Sequence, residues 1–228
     1  MMSMRRRLTV LFLLMSLLLL WYAIFLQGLY WLLLWPALSF FLVGVAYGGL
    51  GPALFAKQPD GALPLRTWIL LGPYLLLSWL GWLGLRAAQG KAPWDEVAPG
   101  LFLGRRLEEH ELPGDISIIV DMTCEFSTRH PVRANQRYLC LPTLDATAPE
   151  PDALRALIQE LREASGKIFI HCAAGHGRSA TVAAALLLSR GLAKTPAEAE
   201  VHLQQRRPKV KLNSEQMALV NNCAFRPV

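Results

Sequence analysis

Three long stretches without a charged residue dominate the first 86 positions of the chain. They run from Leu8 to Leu26, from Tyr30 to Leu50 and from Thr67 to Leu85. Each is close to the roughly 20 residues that cross a bilayer as a helix, so the pattern predicts a bundle of three transmembrane helices. A cleaved signal peptide is the alternative for the first stretch, but that stretch is too long and no small-residue cleavage site follows it.

The remainder of the chain alternates short apolar runs with helical patterns. Strand signals lie at 100–104 (GLFLG), 116–123 (ISIIVDMT), 137–143 (RYLCLPT) and 167–172 (KIFIHC). Helical patterns lie at 151–164 and 180–188, after the capping box that begins at Thr195, and after Ser214. Alternating strands and helices predict an α/β domain, a central sheet flanked by helices.

Composition divides the chain into three parts. Residues 1–86 form the predicted transmembrane region, 87–98 a linker and 99–228 the folded domain. The linker assignment depends on the stretch RAAQGKAPWDEVAP at 86–99, which is polar and contains Gly and Pro. About 130 residues follow the linker, which is enough for one hydrophobic core.

The positive charge of the chain is concentrated before residue 87. That part holds six Lys and Arg against one Asp, a net charge of +5, and the remainder holds 17 Lys and Arg against 16 Asp and Glu, a net charge of +1. A near-neutral folded domain does not require a nucleic-acid partner. The excess charge therefore concerns membrane topology, and the expected partners are membrane lipids.

Two arguments about the orientation of this multi-pass chain oppose each other. The positive-inside rule places Arg5–Arg7 and the loop with Lys57 and Arg66 in the cytoplasm, and three crossings then put the folded domain on the other side. A working thiol is easier to keep reduced in the cytoplasm, which favours that side for the domain. A re-entrant apolar segment would satisfy both arguments.

The stretch KIFIHCAAGHGRSA predicts a buried strand that ends at Cys172, a loop over Ala173–Gly177 and a helix that begins near Arg178. Such a turn directs backbone N–H groups and the positive end of a helix dipole towards the sulfur, where they favour a thiolate and a bound phosphoryl group. Gly175 and Gly177 permit the dihedral angles of the loop, and the planar fork of Arg178 can hold two phosphate oxygens. The predicted chemistry is attack of a thiolate on phosphorus.

This chemistry needs a proton donor for the leaving oxygen. Asp145, in LPTLDATAP, follows a predicted strand and lies on a loop at the carboxyl edge of the sheet. Asp121 is the alternative, but it lies within an apolar strand pattern. We therefore favour Asp145.

These residues resemble a known family. HCAAGHGRSA, from His171 to Ala180, resembles the His-Cys-X5-Arg-Ser/Thr signature of the cysteine-dependent protein tyrosine and dual-specificity phosphatases, and the resemblance extends over about 93–228. It implies a dual-specificity-phosphatase-like domain without metal or cofactor. The implied catalytic residues are the nucleophile Cys172, the phosphate-binding Arg178, the general acid Asp145, Ser179, which eases departure of the sulfur, and His171, which orders the loop. The implied phosphate-binding residues are Ala173, Ala174, Gly175, His176, Gly177 and Arg178.

The leading functional hypothesis is a membrane-anchored phosphatase that acts on phosphoprotein (Tyr, Ser or Thr). A lipid phosphate, of the phosphoinositide or phosphatidylglycerophosphate type, is the alternative substrate. Three helices, more than a tether requires, favour the lipid, whereas the uncharged Ala173 and Ala174 favour the phosphoprotein. Relatives that act on phosphoinositides often carry lysine at the positions of Ala173 or His176, and this chain does not.

Hypotheses from other functional classes have less support. A phosphate-binding membrane adaptor without turnover predicts a broken signature, yet Cys172, Arg178, Ser179 and Asp145 are all present. Sulfur transfer by a rhodanese-like loop lacks the X5-Arg-Ser spacing, and zinc lacks further ligands at suitable spacing. The run RRPKVK at 206–211 predicts a solvated face that could attract anionic lipid headgroups.

Overall fold

The computed structural model describes residues 3–88, 92–128 and 136–222. The chain forms two compact units. The first consists of the N-terminal part up to Arg86 together with Cys124–Thr128, and the second holds the rest.

The first unit is helical. Helix α1 spans Met4–Leu26, α2 spans Leu34–Val45 and α3 spans Leu65–Ala88. Short 3-10 turns at Gly28–Leu33 and Gly51–Phe55 and a π-helical turn at Ala46–Leu50 extend α2 in both directions. Three helical stretches, Met4–Leu26, Gly28–Phe55 and Leu65–Ala88, are long and apolar enough to cross a membrane.

Small residues and buried hydroxyls join the helices of the first unit. A Cβ on Gly44 would lie 2.9 Å from the side chain of Leu13, and one on Gly72 would lie 2.7 Å from Trp35. The hydroxyl of Ser16 donates to the carbonyl of Ala37 over 2.8 Å. In lipid, the hydrophobic effect does not drive helices together, so close packing at small residues and interhelical hydrogen bonds hold them instead.

Large apolar side chains cover the outside of this unit. Phe25 is 69% exposed, Leu29 80% and Leu32 70%. Among the described residues, the exposed large hydrophobic side chains outside this unit are Leu192 and Val201. Apolar surface on this scale is unfavourable in water and favourable in a bilayer.

The second unit is built on a five-stranded sheet. The strands are β1 (Trp94–Ala98), β2 (Leu101–Arg105), β3 (Ile116–Thr123), β4 (Arg137–Thr143) and β5 (Lys167–Cys172), in the spatial order β1-β2-β5-β3-β4. Strand β1 pairs antiparallel with β2, and the other pairs are parallel. The carboxyl ends of β2, β3, β4 and β5 therefore meet at one edge, where ligands gather in open α/β sheets.

Four helices complete this unit: α4 (Pro151–Glu163), α5 (Arg178–Ser189), α6 (Pro196–Arg206) and α7 (Ser214–Asn222). Their apolar side chains pack with those of Leu103, Val120 and Ile170 from one face of the sheet. Phe102, Phe169 and their neighbours form a smaller cluster that belongs to the other face. The predicted α/β domain, with a central sheet flanked by helices and preceded by three apolar helices, is confirmed.

Strand β1 corrects one detail of the prediction. Residues Trp94–Ala98 fall in the stretch that the sequence assigned to the linker and its border, yet they pair with β2. Trp94 contacts Phe102 edge to face, and Val97 is buried. Asp95 and Glu96 made the stretch look solvated, but an edge strand tolerates polar side chains because one side of it is open.

Candidate active site

Cys172 lies at the end of β5, where the chain turns into α5. The loop between them, Ala173–Gly177, is called the phosphate loop here. Gly175 has a φ of +77°, and a Cβ on it would lie 2.4 Å from the carbonyl carbon of Gly104 at the end of β2. Only glycine fits this close approach, so the residue type follows directly from the packing of the loop on the sheet edge.

The carbonyl oxygens of the phosphate loop are all held from outside. Their donors are, in chain order, the N–H of Arg106 (3.3 Å), Nη2 and Nε of Arg207 (3.1 and 2.8 Å), the N–H of Lys211 (3.1 Å) and the N–H of Thr181 (2.9 Å). In a trans peptide, the C=O and the following N–H point in opposite directions. The N–H groups of residues 174–178 therefore point inward, a concave nest that favours an anion.

The sulfur of Cys172 lies within this nest. Its Sγ accepts a hydrogen bond from the N–H of Gly175 over 3.2 Å and from the hydroxyl of Ser179 over 3.3 Å. Cys172 is a reduced thiol and is 3% exposed. Both donors are placed to stabilise negative charge on the sulfur.

Arg178 joins the phosphate loop to the end of β4. Its side chain is 1% exposed, Nη1 donates to the carbonyl of Thr143 over 2.9 Å, and Nη2 lies 3.1 Å from Oδ1 of Asp145. A cation at a helix N-terminus opposes the helix dipole, so its position needs an anionic partner. Asp145 supplies one in this structure.

The two candidate aspartates have different surroundings. The side chain of Asp145 is 67% exposed and lies beside Arg178. Asp121 is buried, and its oxygens accept hydrogen bonds from the N–H and hydroxyl of Thr123 and from the hydroxyl of Tyr138, each over 2.7 Å. These bonds commit Asp121 to structure, whereas Asp145 can reach a ligand from a loop.

His171 lies behind the cysteine. It is buried, its ring stacks on Phe169 with centroids 5.5 Å apart, and Nδ1 lies 4.0 Å from Oδ1 of Asp121. The ring therefore lies near both Phe169 and the carboxylate of Asp121. The expected role of His171 in ordering the phosphate loop stays a prediction.

His176, at the rim of the phosphate loop, is half-buried. Burial, together with the charges of Arg207 and Lys209, lowers the pKa of His176 to about 4. The ring is therefore neutral at physiological pH and adds no positive charge to the phosphate loop.

Arg207 is the residue whose function the sequence did not indicate. The run RRPKVK predicted a solvated face, but the side chain of Arg207 is buried, and besides its two loop carbonyls it donates to Oδ2 of Asp95 over 2.8 Å. Lys209 and Lys211 are exposed, as predicted. The signal for Arg207 was the Arg-Pro segment itself, which resembles a segment of the phosphatase family.

Metal ligation has no support among the residues that the structure describes. No group of three His, Cys, Asp or Glu side chains in 3–88, 92–128 and 136–222 could hold a metal ion.

A cysteine in a nest of inward N–H groups, with a buried arginine and an exposed aspartate beside it, defines the class of cysteine-dependent phosphatases. Comparison with known proteins agrees. The family model "Dual specificity phosphatase, catalytic domain" matches residues 110–224, about half of the chain. The chain belongs to the dual specificity phosphatase family.

Individual relatives are more distant. The chain is 32% identical over 129 residues to the "Dual specificity protein phosphatase Mpk3" of Drosophila melanogaster, a match that covers 52% of this chain and 31% of that protein. The chain thus spans about a third of the length of this curated relative.

Two solved structures share the fold. "Tk-PTP in the active form" has a TM-score of 0.50 at 27% identity and covers 56% of this chain and 93% of its own. "PTPMT1 in complex with PI(5)P" has a TM-score of 0.50 at 18% identity and covers 57% of this chain and 94% of its own. At 18% identity the second likeness shows the fold alone.

Proposed function

We propose that the protein is a membrane-anchored phosphatase that hydrolyses phosphomonoesters on protein side chains (Tyr, Ser or Thr) through a cysteinyl-phosphate intermediate. The observation that carries this proposal is the sulfur of Cys172 in the nest of the phosphate loop, with Arg178 and Asp145 beside it. The nest and the guanidinium hold the phosphoryl oxygens, and the thiolate faces phosphorus.

The first step forms the S–P bond and breaks the ester P–O bond. Asp145, protonated, gives its proton to the leaving oxygen, so that an alcohol or phenol departs. The negative charge of the phosphoryl group lies against the N–H groups of residues 174–178 and the guanidinium of Arg178.

The second step returns the enzyme to its starting state. Asp145, now ionised, takes a proton from water, the water oxygen bonds to phosphorus, and the P–S bond breaks to release inorganic phosphate. Ser179 donates to Sγ over 3.3 Å, which stabilises the thiolate as it leaves.

The first unit supports membrane anchoring. Three stretches of suitable length and the apolar side chains on their outside favour insertion into a bilayer. The chain would then present its phosphatase domain close to a lipid surface.

A lipid phosphate is the second candidate substrate. Anchoring favours it, and so do the exposed Lys209 and Lys211, which follow Arg207 in the segment that holds the phosphate loop. The PTPMT1 structure contains PI(5)P, so this fold can hold such a headgroup, although that structure shares only the fold with this chain. The uncharged Ala173 and Ala174 leave the phosphoprotein as the first candidate.

The test uses the full chain in detergent micelles and an aryl phosphate. We expect turnover in the natural protein and a loss of at least about 10⁴-fold in kcat for Cys172→Ser. Unchanged turnover in Cys172→Ser would refute the mechanism. Phosphate binding without turnover in the natural protein would identify an adaptor instead.

The substrate class is tested separately. We expect kcat/KM for phosphopeptides to exceed that for lipid phosphates in mixed micelles of the same detergent. The reverse order would make the lipid phosphate the substrate without changing the mechanism.

A further inference from the structure

The loop that carries Asp145, residues Leu144–Thr147, is called the acid loop here, and the beginning of α7 holds it. The side-chain amide of Asn213 donates from Nδ2 to the carbonyl of Ala146 over 2.8 Å. The amide of Gln216 donates from Nε2 to the carbonyl of Thr147 over 3.0 Å. Two consecutive carbonyls of the acid loop are thus tied to one helix.

The two amides also fix each other. Oδ1 of Asn213 accepts from the N–H of Gln216 over 2.9 Å, and Oε1 of Gln216 accepts from the N–H of Asn213 over 3.0 Å. This reciprocal pair caps α7 and assigns each side-chain oxygen to a backbone donor. The nitrogen of each amide is therefore left to donate to the acid loop.

The backbone of the acid loop needs such support. Ala146, directly after Asp145, has a φ of +57°, a left-handed conformation that alanine rarely adopts. The N–H and hydroxyl of Thr147 bond to the carbonyl of Leu144 and close the turn around it. A conformation of this kind persists where surrounding contacts hold it, and Asn213 bonds to the carbonyl of Ala146 itself.

Gln216 also borders the phosphate loop. It is 1% exposed, and a Cβ on Gly177 would lie 3.4 Å from its Nε2. The same amide nitrogen bonds to Thr147, so Gln216 lies between the two loops.

We infer that Asn213 and Gln216 are positioning residues for the general acid, an inference that rests on the proposed role of Asp145. They hold the acid loop so that the carboxyl of Asp145 stays beside Arg178 and within reach of the leaving oxygen. Proton donation depends steeply on this geometry, whereas phosphate binding and attack by Cys172 do not depend on it.

The test compares substrates that differ in their need for a proton. An activated aryl phosphate releases a stabilised phenolate without help, whereas an alkyl phosphate, such as a phosphoserine peptide, requires the acid. Asn213→Ser keeps a side-chain oxygen for the helix cap but removes the amide donor to Ala146. We expect its kcat/KM to fall about 10- to 100-fold on the alkyl phosphate and less than about threefold on the aryl phosphate.

Three further variants of the full chain complete the test. Asn221→Ala, on the exposed end of the same helix, should leave both rates unchanged. Asp145→Asn should show the same preference for the activated substrate, and more strongly. Gln216→Leu, which fills a similar volume without the amide, should follow Asn213→Ser.

The outcomes separate the inference from the function on which it rests. Equal losses on both substrates in Asn213→Ser, or no loss on either, overturn the positioning role. If Asp145→Asn itself shows no preference for the activated substrate, the assignment of the acid fails. If the natural protein turns over neither substrate, the proposed function fails.

Discussion

The phosphate loop and the acid loop lie at the same edge of the sheet, yet different contacts hold them. The phosphate loop is partly buried, and every carbonyl from Ala173 to Gly177 accepts a hydrogen bond. The acid loop carries an exposed Asp145, and two side-chain amides of α7 hold its backbone. A site that stabilises charge benefits from rigid dipoles, whereas a group that must act first as acid and then as base benefits from room to reach water.

Arg178 directly follows the phosphate loop and contacts Asp145 in the acid loop, so it gives the largest expected effect among the variants that compare the two loops. Arg178→Lys keeps the charge but loses the planar fork that contacts Thr143 and Asp145 together. We expect kcat/KM on an aryl phosphate to fall about 10²- to 10³-fold, because lysine cannot replace a bidentate contact. Arg190→Lys, at the other end of α5, is the control, and a loss of the same size there would mean that the effect is not specific to the site.

Gly175→Ala tests the rigidity of the phosphate loop. The new Cβ would meet the backbone of Gly104 at 2.4 Å in a left-handed conformation. We expect a destabilisation of about 3 kcal/mol, since both strain and overpacking contribute, and a melting temperature about 10 °C lower in micelles.

Gly191→Ala is the matched control for this change. Gly191 has a φ of +70°, but nothing lies within 4 Å of its Cβ position. The cost should be about 1 kcal/mol, from the backbone conformation alone. If both variants melt at the same temperature, the contact with Gly104 does not support the loop.

How much the sequence predicted also differs between regions. The turn from β5 through the phosphate loop to α5 was predictable because it is contiguous: a buried strand, two glycines and an arginine follow one another within twelve residues. Asp145 could be placed at the same sheet edge because it follows a strand. Its distance from Arg178, and the contacts that hold its loop, depend on tertiary packing.

Strand β1 and Arg207 show where prediction from the sequence ended. Asp95 and Glu96 in β1 suggested a linker, and the basic run around Arg207 suggested a solvated face. The linker interpretation fails at Asp95 and the solvated-face interpretation fails at Arg207 for the same reason, because Asp95 of β1 is the ion-pair partner that allows Arg207 to be buried. A pair separated by more than a hundred residues leaves no local pattern.

Asp95→Asn tests this pair with a smaller expected effect. The substitution keeps an oxygen for Arg207 but removes the charge, and since the carboxylate is 31% exposed, we expect a loss of stability of about 1 kcal/mol. Without the ion pair, Arg207 holds the carbonyls of Ala174 and Gly175 less firmly, and the N–H groups of the phosphate loop are less well oriented. We therefore expect KM for an aryl phosphate to rise about threefold.

The control for this variant is Asp115→Asn. Asp115 forms an exposed ion pair with Lys167 at the other end of β5, and its φ of +58° suits asparagine. The KM for the aryl phosphate should stay unchanged, and the free energy of unfolding should stay within about 0.5 kcal/mol of that of the natural protein. A rise in KM for Asp115→Asn as large as that for Asp95→Asn would remove Arg207 from the account of the phosphate loop.

His176 gives the smallest effect and the most specific dependence on pH. Its folded pKa is about 4, below the value of about 6.5 in an unfolded chain, so the unfolded state binds a proton first as pH falls. Stability associated with this residue is therefore complete above pH 6.5 and is lost as pH falls towards 4. His176→Gln removes this loss. Because the ring is only half-buried, we expect the variant to gain about 1 kcal/mol on the natural protein between pH 7 and pH 5.

Melting curves at both pH values measure this gain. If the melting temperatures of the natural protein and of His176→Gln change equally between pH 7 and pH 5, then His176 titrates alike in the folded and unfolded states. The distinction matters for the phosphate loop, since a neutral His176 leaves the positive field at Cys172 to the backbone dipoles and Arg178. A protonated ring at the rim would make phosphate binding tighten in acid, and the lowered pKa predicts that such tightening is absent above about pH 5.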